Sequence, residues 1–476
     1  MRSLFSVKKM KNLFKILLFL FALQLASCAN DEDEYVTLTP EVGEEYSGGE
    51  SNTVFNSSEE AFGFASTNLT FEEQSDFGIG NSFFRQSWVS APASTTARDG
   101  LGPFYNAVAC ASCHFKDGRG RTPNFDGETA RGLLLRFNTD GFDGFGSTNP
   151  DPVYGHQLQD NAILGQTVKG NYTITYQNIS ETLADGTVVV LKKPIYQVTN
   201  LGYGSLAPNI KISPRIANQI IGLGLLEAID QNTIFAFADA TDTNGDGISG
   251  RPNYVYDYVS NSSKLGRFGW KANQPNVRQQ VAAAFGGDMG ITTFIFPNEN
   301  CPPGVDCNAI PNGGLPEITD LNLNRVALYS STLAVPARRN FNDQNVLKGK
   351  NTFETIGCTD CHKSKIVTGN NHPIAALRNQ TIRPYTDLLL HDMGNELADN
   401  APDFLATGNE WKTPPLWGIG LIETVNGHTN LMHDGRAKTI EEAILWHGGE
   451  AQLSKEKYKQ LTAVKRNELL AFLKSL

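Results

Sequence analysis

The apolar positions of this chain fall into three patterns, each predicting a different kind of element. Near the start, residues 16–23 form a continuous apolar run behind Arg2, Lys8, Lys9, Lys11 and Lys15. Such a run is too short to cross a bilayer, which takes about 20 residues, but it suits the core of an export signal. Towards the end the spacing is helical. Val346, Lys350 and Phe353 lead into Gly357-Cys358, and Leu469, Phe472, Leu473 and Leu476 form one face of a closing helix. Thr439-Ile-Glu-Glu442 reads as a capping box that opens a helix with Ile440, Ala443, Ile444 and His447 on its apolar face. Between these regions, 173–176 and 187–191 read as strands joined by an Asp185-Gly186 turn. The pattern therefore predicts a mainly α fold. Its expected parts are a signal over 1–27, a polar tether over 28–60, a large domain over 61–341 with β-hairpin insertions, and a helical domain over 342–476.

Composition narrows the class. With 40% hydrophobic and 19% charged residues in 476, the chain is neither disordered, collagen-like nor multi-span. Removing 1–27, which holds five basic groups and no acids, takes the net charge from −10 to −15. A surface that acidic repels phosphate backbones, which argues against nucleic acid and favours a basic protein partner. Leu25-Ala-Ser-Cys28 resembles a bacterial lipobox, in which the Cys is lipidated and becomes the mature N-terminus; the other reading is an ordinary signal peptide with an incidental Cys. Asp31-Glu-Asp-Glu34 then opens the tether, and Ala29 gives no inner-membrane retention signal. The expected location is the bacterial envelope, lipid-anchored to the outer membrane.

The remaining cysteines carry the chemistry. Cys110-Ala-Ser-Cys113-His114 and Cys358-Thr-Asp-Cys361-His362 are both C-x-x-C-H, the pattern of covalent haem c attachment. Two thiols bond to the haem edge, and the following His is placed to ligate the iron. A zinc site would need the two pairs brought together, and a redox dithiol would need a βαβ context that is missing. Each domain is therefore expected to be cytochrome c-like, with two haem c groups in all. Cys301 and Cys307 flank a turn-forming Pro-Pro-Gly-Val-Asp and are placed to form a small disulfide. Asp242, Asn244 and Asp246 match the first half of a calcium loop, but position twelve is Asn253 where an EF-hand has Glu, so an acidic turn is as good a reading as a partial calcium site.

Asp99-Gly-Leu-Gly-Pro103, Gly266-Arg-Phe-Gly-Trp270, Leu389-Leu-His-Asp-Met-Gly394, Thr413-Pro-Pro-Leu-Trp417 and His433-Asp-Gly-Arg436 give the chain a wider resemblance. It resembles the di-haem oxidoreductases, distant relatives of the bacterial di-haem cytochrome c peroxidases. In those peroxidases a His-Asp-Gly motif precedes the sixth ligand of the C-terminal, electron-accepting haem by fourteen residues; here that position is His447, giving a bis-histidine centre with His362. The resemblance also implies a peroxide site of Trp270, Gln280 and Asp288, although the acid is usually Glu and its spacing from Gln here is longer by two. A carboxylate there moves a proton between the peroxide oxygens, and Trp relays electrons between haems; the other readings are a helix-terminal carboxylate beside Gly286-Gly287 for Asp288 and a core aromatic for Trp270. Many peroxidases carry a removable His about sixteen residues after the first motif; position 130 is Ala, and His156 is the only His between His114 and His362. The first haem is then open, or ligated by an unassigned group. His391 and His428 read as packing residues, His433 as a local hydrogen-bonding residue, and Arg436 as a partner for a haem propionate.

The function expected is hydrogen peroxide reduction, fed by a small electron-donor protein such as a cytochrome. The alternatives are a di-haem oxygenase or substrate-oxidising enzyme, and an electron carrier with no substrate of its own.

Overall fold

Glycines let the main helices approach closely at two crossings. The computed structural model describes residues 37–123, 128 and 130–476; the expected signal, the expected lipidation position Cys28 and the start of the expected tether lie outside them. The longer helices are α1 (Phe71–Arg85), α2 (Val277–Met289), α3 (Asp320–Thr332), α4 (Gln344–Thr355), α5 (Ile440–Trp446), α6 (Gln452–Lys459) and α7 (Ala463–Ser475). A capping box starts α1: Thr70 accepts from the Glu73 N–H, and the Glu73 carboxylate accepts from the Thr70 N–H. Helices α1 and α3 pack together, and so do α4 and α7. In the first pair a Cβ on Gly80 would lie 2.1 Å from the Arg325 carbonyl oxygen; in the second, one on Gly349 would lie 1.9 Å from that of Glu468. No side chain fits at either crossing.

The expectation of a mainly α fold is corrected by the strand content. Helix accounts for 27% of the chain and strand for 18%, so neither dominates, and every sheet among the described residues is two-stranded. In chain order the strands that matter are β1 (Thr53–Val54), β2 (Leu133–Asn138), β3 (Asn171–Thr182), β4 (Val188–Thr199), β5 (Lys211–Ile216), β6 (Val335–Pro336), β7 (Leu390–Asp392) and β8 (Glu410–Lys412). β1 pairs with β6 across most of the chain, through Thr53↔Val335, and a two-residue strand leaves no periodic trace in sequence. The β3–β4 hairpin has twelve residues a strand, far longer than the short strands expected. Its tip grips the C-terminal helices: Glu181 pairs with Lys455 at 2.7 Å and Lys459 at 2.8 Å, and Asp185 with Arg466 at 2.6 Å.

Residues Pro40–Leu476 form one compact unit. The stretch 40–60, expected to be tether, belongs to it: Glu44 is buried and paired with Arg338 and, at 2.7 Å, with Lys350. Among the described residues no helix is long and apolar enough to cross a membrane.

Candidate functional site

Each Cys-x-x-Cys-His segment forms one wall of its own cavity. Cys110, Cys113 and His114 line the first, and Cys358, Cys361 and His362 line the second. The cysteine pairs are thus kept apart, which removes the zinc reading that needed them together. Burial pushes the Cys110 and Cys358 thiols up to about 12, with the Asp288 carboxylate adding to the rise at Cys110.

The two motif histidines are locked alike. His114 Nδ1 meets the Asn218 carbonyl at 2.6 Å, and His362 Nδ1 meets the Tyr385 carbonyl at 2.8 Å. A carbonyl only accepts, so Nδ1 carries the proton in each ring and Nε2 keeps its lone pair for a metal. Burial lowers both values, His362 to about 4, and holds the rings neutral. A phenylalanine from the adjoining helix backs each: Phe84 of α1 lies 6.1 Å from His114, and Phe353 of α4 lies 6.1 Å from His362. Thiol pair, fixed imidazole and cavity together fit a haem c group on each motif.

Beyond that shared frame the cavities differ. The second has three further histidines in its lining, His391, His433 and His447, and His447 is placed at the C-cap of α5 rather than within the helix. Its Nδ1 meets the Ala443 carbonyl at 2.7 Å, so His447 too presents a bare Nε2. The helix start is as the sequence suggests on one side only: the Thr439 hydroxyl accepts from the Glu442 N–H, but Glu442 reaches back to the Lys438 N–H.

The first cavity has α2 as a wall. Val277, Gln280, Val281, Ala284 and Asp288 line it, spaced at i, i+3, i+4, i+7 and i+11 along one helix stripe. Among its lining residues His114 is the only histidine, and His156 lies elsewhere. Asp288 Oδ1 accepts from Gln157 Nε2 at 2.8 Å, and its backbone carbonyl accepts from the N–H groups of Asn106 and Ala107. Burial raises the Asp288 carboxyl above its ordinary value, against the opposing pull of Gln157 and Arg136. Gln157, 3% exposed, also donates to Asn106 Oδ1 at 2.8 Å. Nothing in the spacing of the sequence pointed to Gln157, because it lies 131 residues from its partner.

Trp270 lines both cavities, as does Gln219. Its indole Nε1–H donates to the Ile216 carbonyl at 2.8 Å, and the Arg119 guanidinium lies 5.5 Å above its ring. Facing the second cavity, Trp411 stacks on His433 with centroids 3.8 Å apart and planes 10° from parallel.

Other residues singled out by the sequence fall as follows. His391 is part of a buried ionic cluster, with Nε2 2.8 Å from Asp387, Nδ1 2.6 Å from Glu450, and Nδ1 3.6 Å from Cys361 Sγ. Burial alone would depress it, but Asp387, Cys361 and Glu450 outweigh burial and hold it well above the ordinary value, protonated. A charged cluster replaces the packing role expected of His391. Arg436 is not free for a propionate: it grips Asp434 at 2.8 Å and lies 4.7 Å over Trp446. His428 Nδ1 accepts from the Asn430 N–H at 3.2 Å. Cys301 and Cys307 are joined in a disulfide. In the exposed loop of Asp242, Asn244 and Asp246, side-chain oxygens accept from the N–H groups of Gly247, Asp246 and Ile248, and none of the three lines either cavity.

A family model described as di-haem oxidoreductase, putative peroxidase matches residues 42–476. Neither a curated protein nor a solved structure matches the chain.

Proposed function

The chain belongs to the di-haem oxidoreductase family, and from that premise we propose that it reduces hydrogen peroxide in the first cavity with electrons received in the second. Haem c bonded to each cysteine pair would supply the redox chemistry, which the protein directs through its own groups. In the second cavity His362 and His447, each with a bare Nε2, would hold the haem iron between them, which would give a closed centre suited to electron transfer. In the first, His114 would hold the haem, and a small oxidant would be taken beside Gln280 and Asp288, which line the same cavity.

Asp288 in its carboxylate form takes the proton from the nearer peroxide oxygen and returns it to the departing one, while Gln280 donates to hold the peroxide. Gln157 fixes one Asp288 oxygen, which leaves the other for this task. Two electrons and two further protons complete the conversion of peroxide to two waters. Electrons come from a small donor protein, in keeping with an acidic chain exported and lipid-anchored at Cys28, and cross the wall between the cavities at Trp270. The observation that carries this reading is the asymmetry of the lining: one cavity has, besides its motif histidine, His447 with a bare Nε2, and the other has the buried acid Asp288 and no histidine but His114.

The test is the Asp288→Asn variant in stopped-flow mixing with peroxide. Loss of a positioned acid–base group costs roughly 10²–10⁴-fold in rate; such a fall with both haems retained is expected, and an unchanged rate removes Asp288 from the mechanism.

A further inference from the structure

The second cavity holds two buried cations that the protein does not neutralise. Arg119 is 5% exposed, and its guanidinium donates to the Asn430 carbonyl at 3.1 Å, Gln219 Oε1 at 2.9 Å and the Met432 carbonyl at 3.3 Å, all uncharged acceptors. Lys412, on β8, is 7% exposed, and among the described residues its Nζ makes neither a hydrogen bond nor an ion pair. Burial lowers Arg119 to about 10 and Lys412 to about 8, with Asp387 drawing Lys412 partly back. Nearby cations of equal burial are treated otherwise: Lys271 pairs with Asp399 at 2.9 Å, and Arg436 with Asp434 at 2.8 Å. A buried charge is normally paired, and both side chains line one cavity, where anions would complete them.

We propose that Arg119 and Lys412 bind the two propionate carboxylates of the haem held by Cys358 and Cys361. This rests on the di-haem reading and adds a binding site to it. Two cations meet two carboxylates. Arg119 has N–H groups left over from its three neutral acceptors, and its planar fork suits a carboxylate; Lys412 offers three donors. The assignment replaces Arg436, whose fork is already occupied. Arg119 itself lies on the face of Trp270, which lines both cavities.

The test compares full-length Arg119→Gln, Arg119→Lys, Lys412→Gln and a control, Lys365→Gln, which removes an exposed cation from the same region. Haem content is read by pyridine haemochrome, propionate bending modes by resonance Raman, and the two midpoint potentials by spectroelectrochemistry. Arg119→Gln and Lys412→Gln are expected to shift the propionate modes and lower the midpoint of the bis-histidine haem alone, since a positive charge that favoured the reduced state is gone. Arg119→Lys restores most of that midpoint, and Lys365→Gln leaves it in place. Loss of the second haem alone in either glutamine variant also supports the cradle. Two retained haems with unmoved modes and midpoints in both glutamine variants overturn it, as does an equal shift in the Lys365 control. Should Arg119→Gln fail to fold, Lys412→Gln decides alone. A wild-type protein with fewer than two haems would instead overturn the di-haem reading beneath it.

Discussion

In the first cavity α1 crosses α3 at Gly80 and sends Phe84 against His114; in the second α4 crosses α7 at Gly349 and sends Phe353 against His362. Both histidines give their Nδ1 proton to a backbone carbonyl. The two regions thus repeat one support for a haem-binding imidazole, although the helices that supply it come from different parts of the chain. What they do not repeat is the opposite wall. One has His447 at the end of α5, and the other has the stripe of α2 with Gln280 and Asp288. The lesson is that proximal geometry sets where a haem sits, whereas a few distal side chains set what it can do.

The largest effect should come from making the second site resemble the first. His447→Gly removes the sixth ligand, and absorption and EPR spectra should show the low-spin centre become high-spin, with added imidazole restoring it. A spectrum unchanged by the substitution would mean that His447 is not a ligand.

The shared support can be broken on either side. Gly80→Ala or Gly349→Ala drives a methyl group into a carbonyl of the facing helix, and such overpacking costs about 1–3 kcal/mol. Chemical denaturation should show the loss in both variants, while the spin states of properly folded protein stay as in the parent. A loss at one crossing only would show that the two supports are not equivalent.

A smaller effect separates the distal walls by pH. Asp288 accepts a proton only as a carboxylate, and burial raises its value, so the peroxide rate should climb with pH through a limb above the ordinary carboxylate range. The Gln157 hydrogen bond opposes that rise; Gln157→Leu should therefore move the limb to higher pH without altering the spectrum of the second haem. A limb that stays in place would detach Gln157 from Asp288.

How much of this could be read in the sequence depended on distance along the chain. The C-x-x-C-H segments, the closing helix and the Thr439 cap are local patterns, and a local pattern survives in a linear text. Trp270, Gln280, Asp288 and His447 came from spacing within recognised motifs. The β1–β6 ladder, the packing of Glu44 under Arg338, and the use of Gln157 and Arg119 all join residues scores to hundreds of positions apart, with no periodic or motif signal at either end. The mainly α expectation failed for the same reason: helical spacing around the haem motifs was extended to a chain whose other half is short ladders and loops. His391 shows a further limit, since a lone histidine in an apolar run gives no hint of two carboxylates folded onto it from Asp387 and Glu450.

Low-temperature EPR of the ferric protein, taken before and after one equivalent of hydrogen peroxide, tests the asymmetry of the two cavities most directly. The account predicts one high-spin and one low-spin haem, with the high-spin signal consumed by peroxide. Two low-spin haems that remain indifferent to peroxide, in the ferric protein and after one-electron reduction alike, would contradict it.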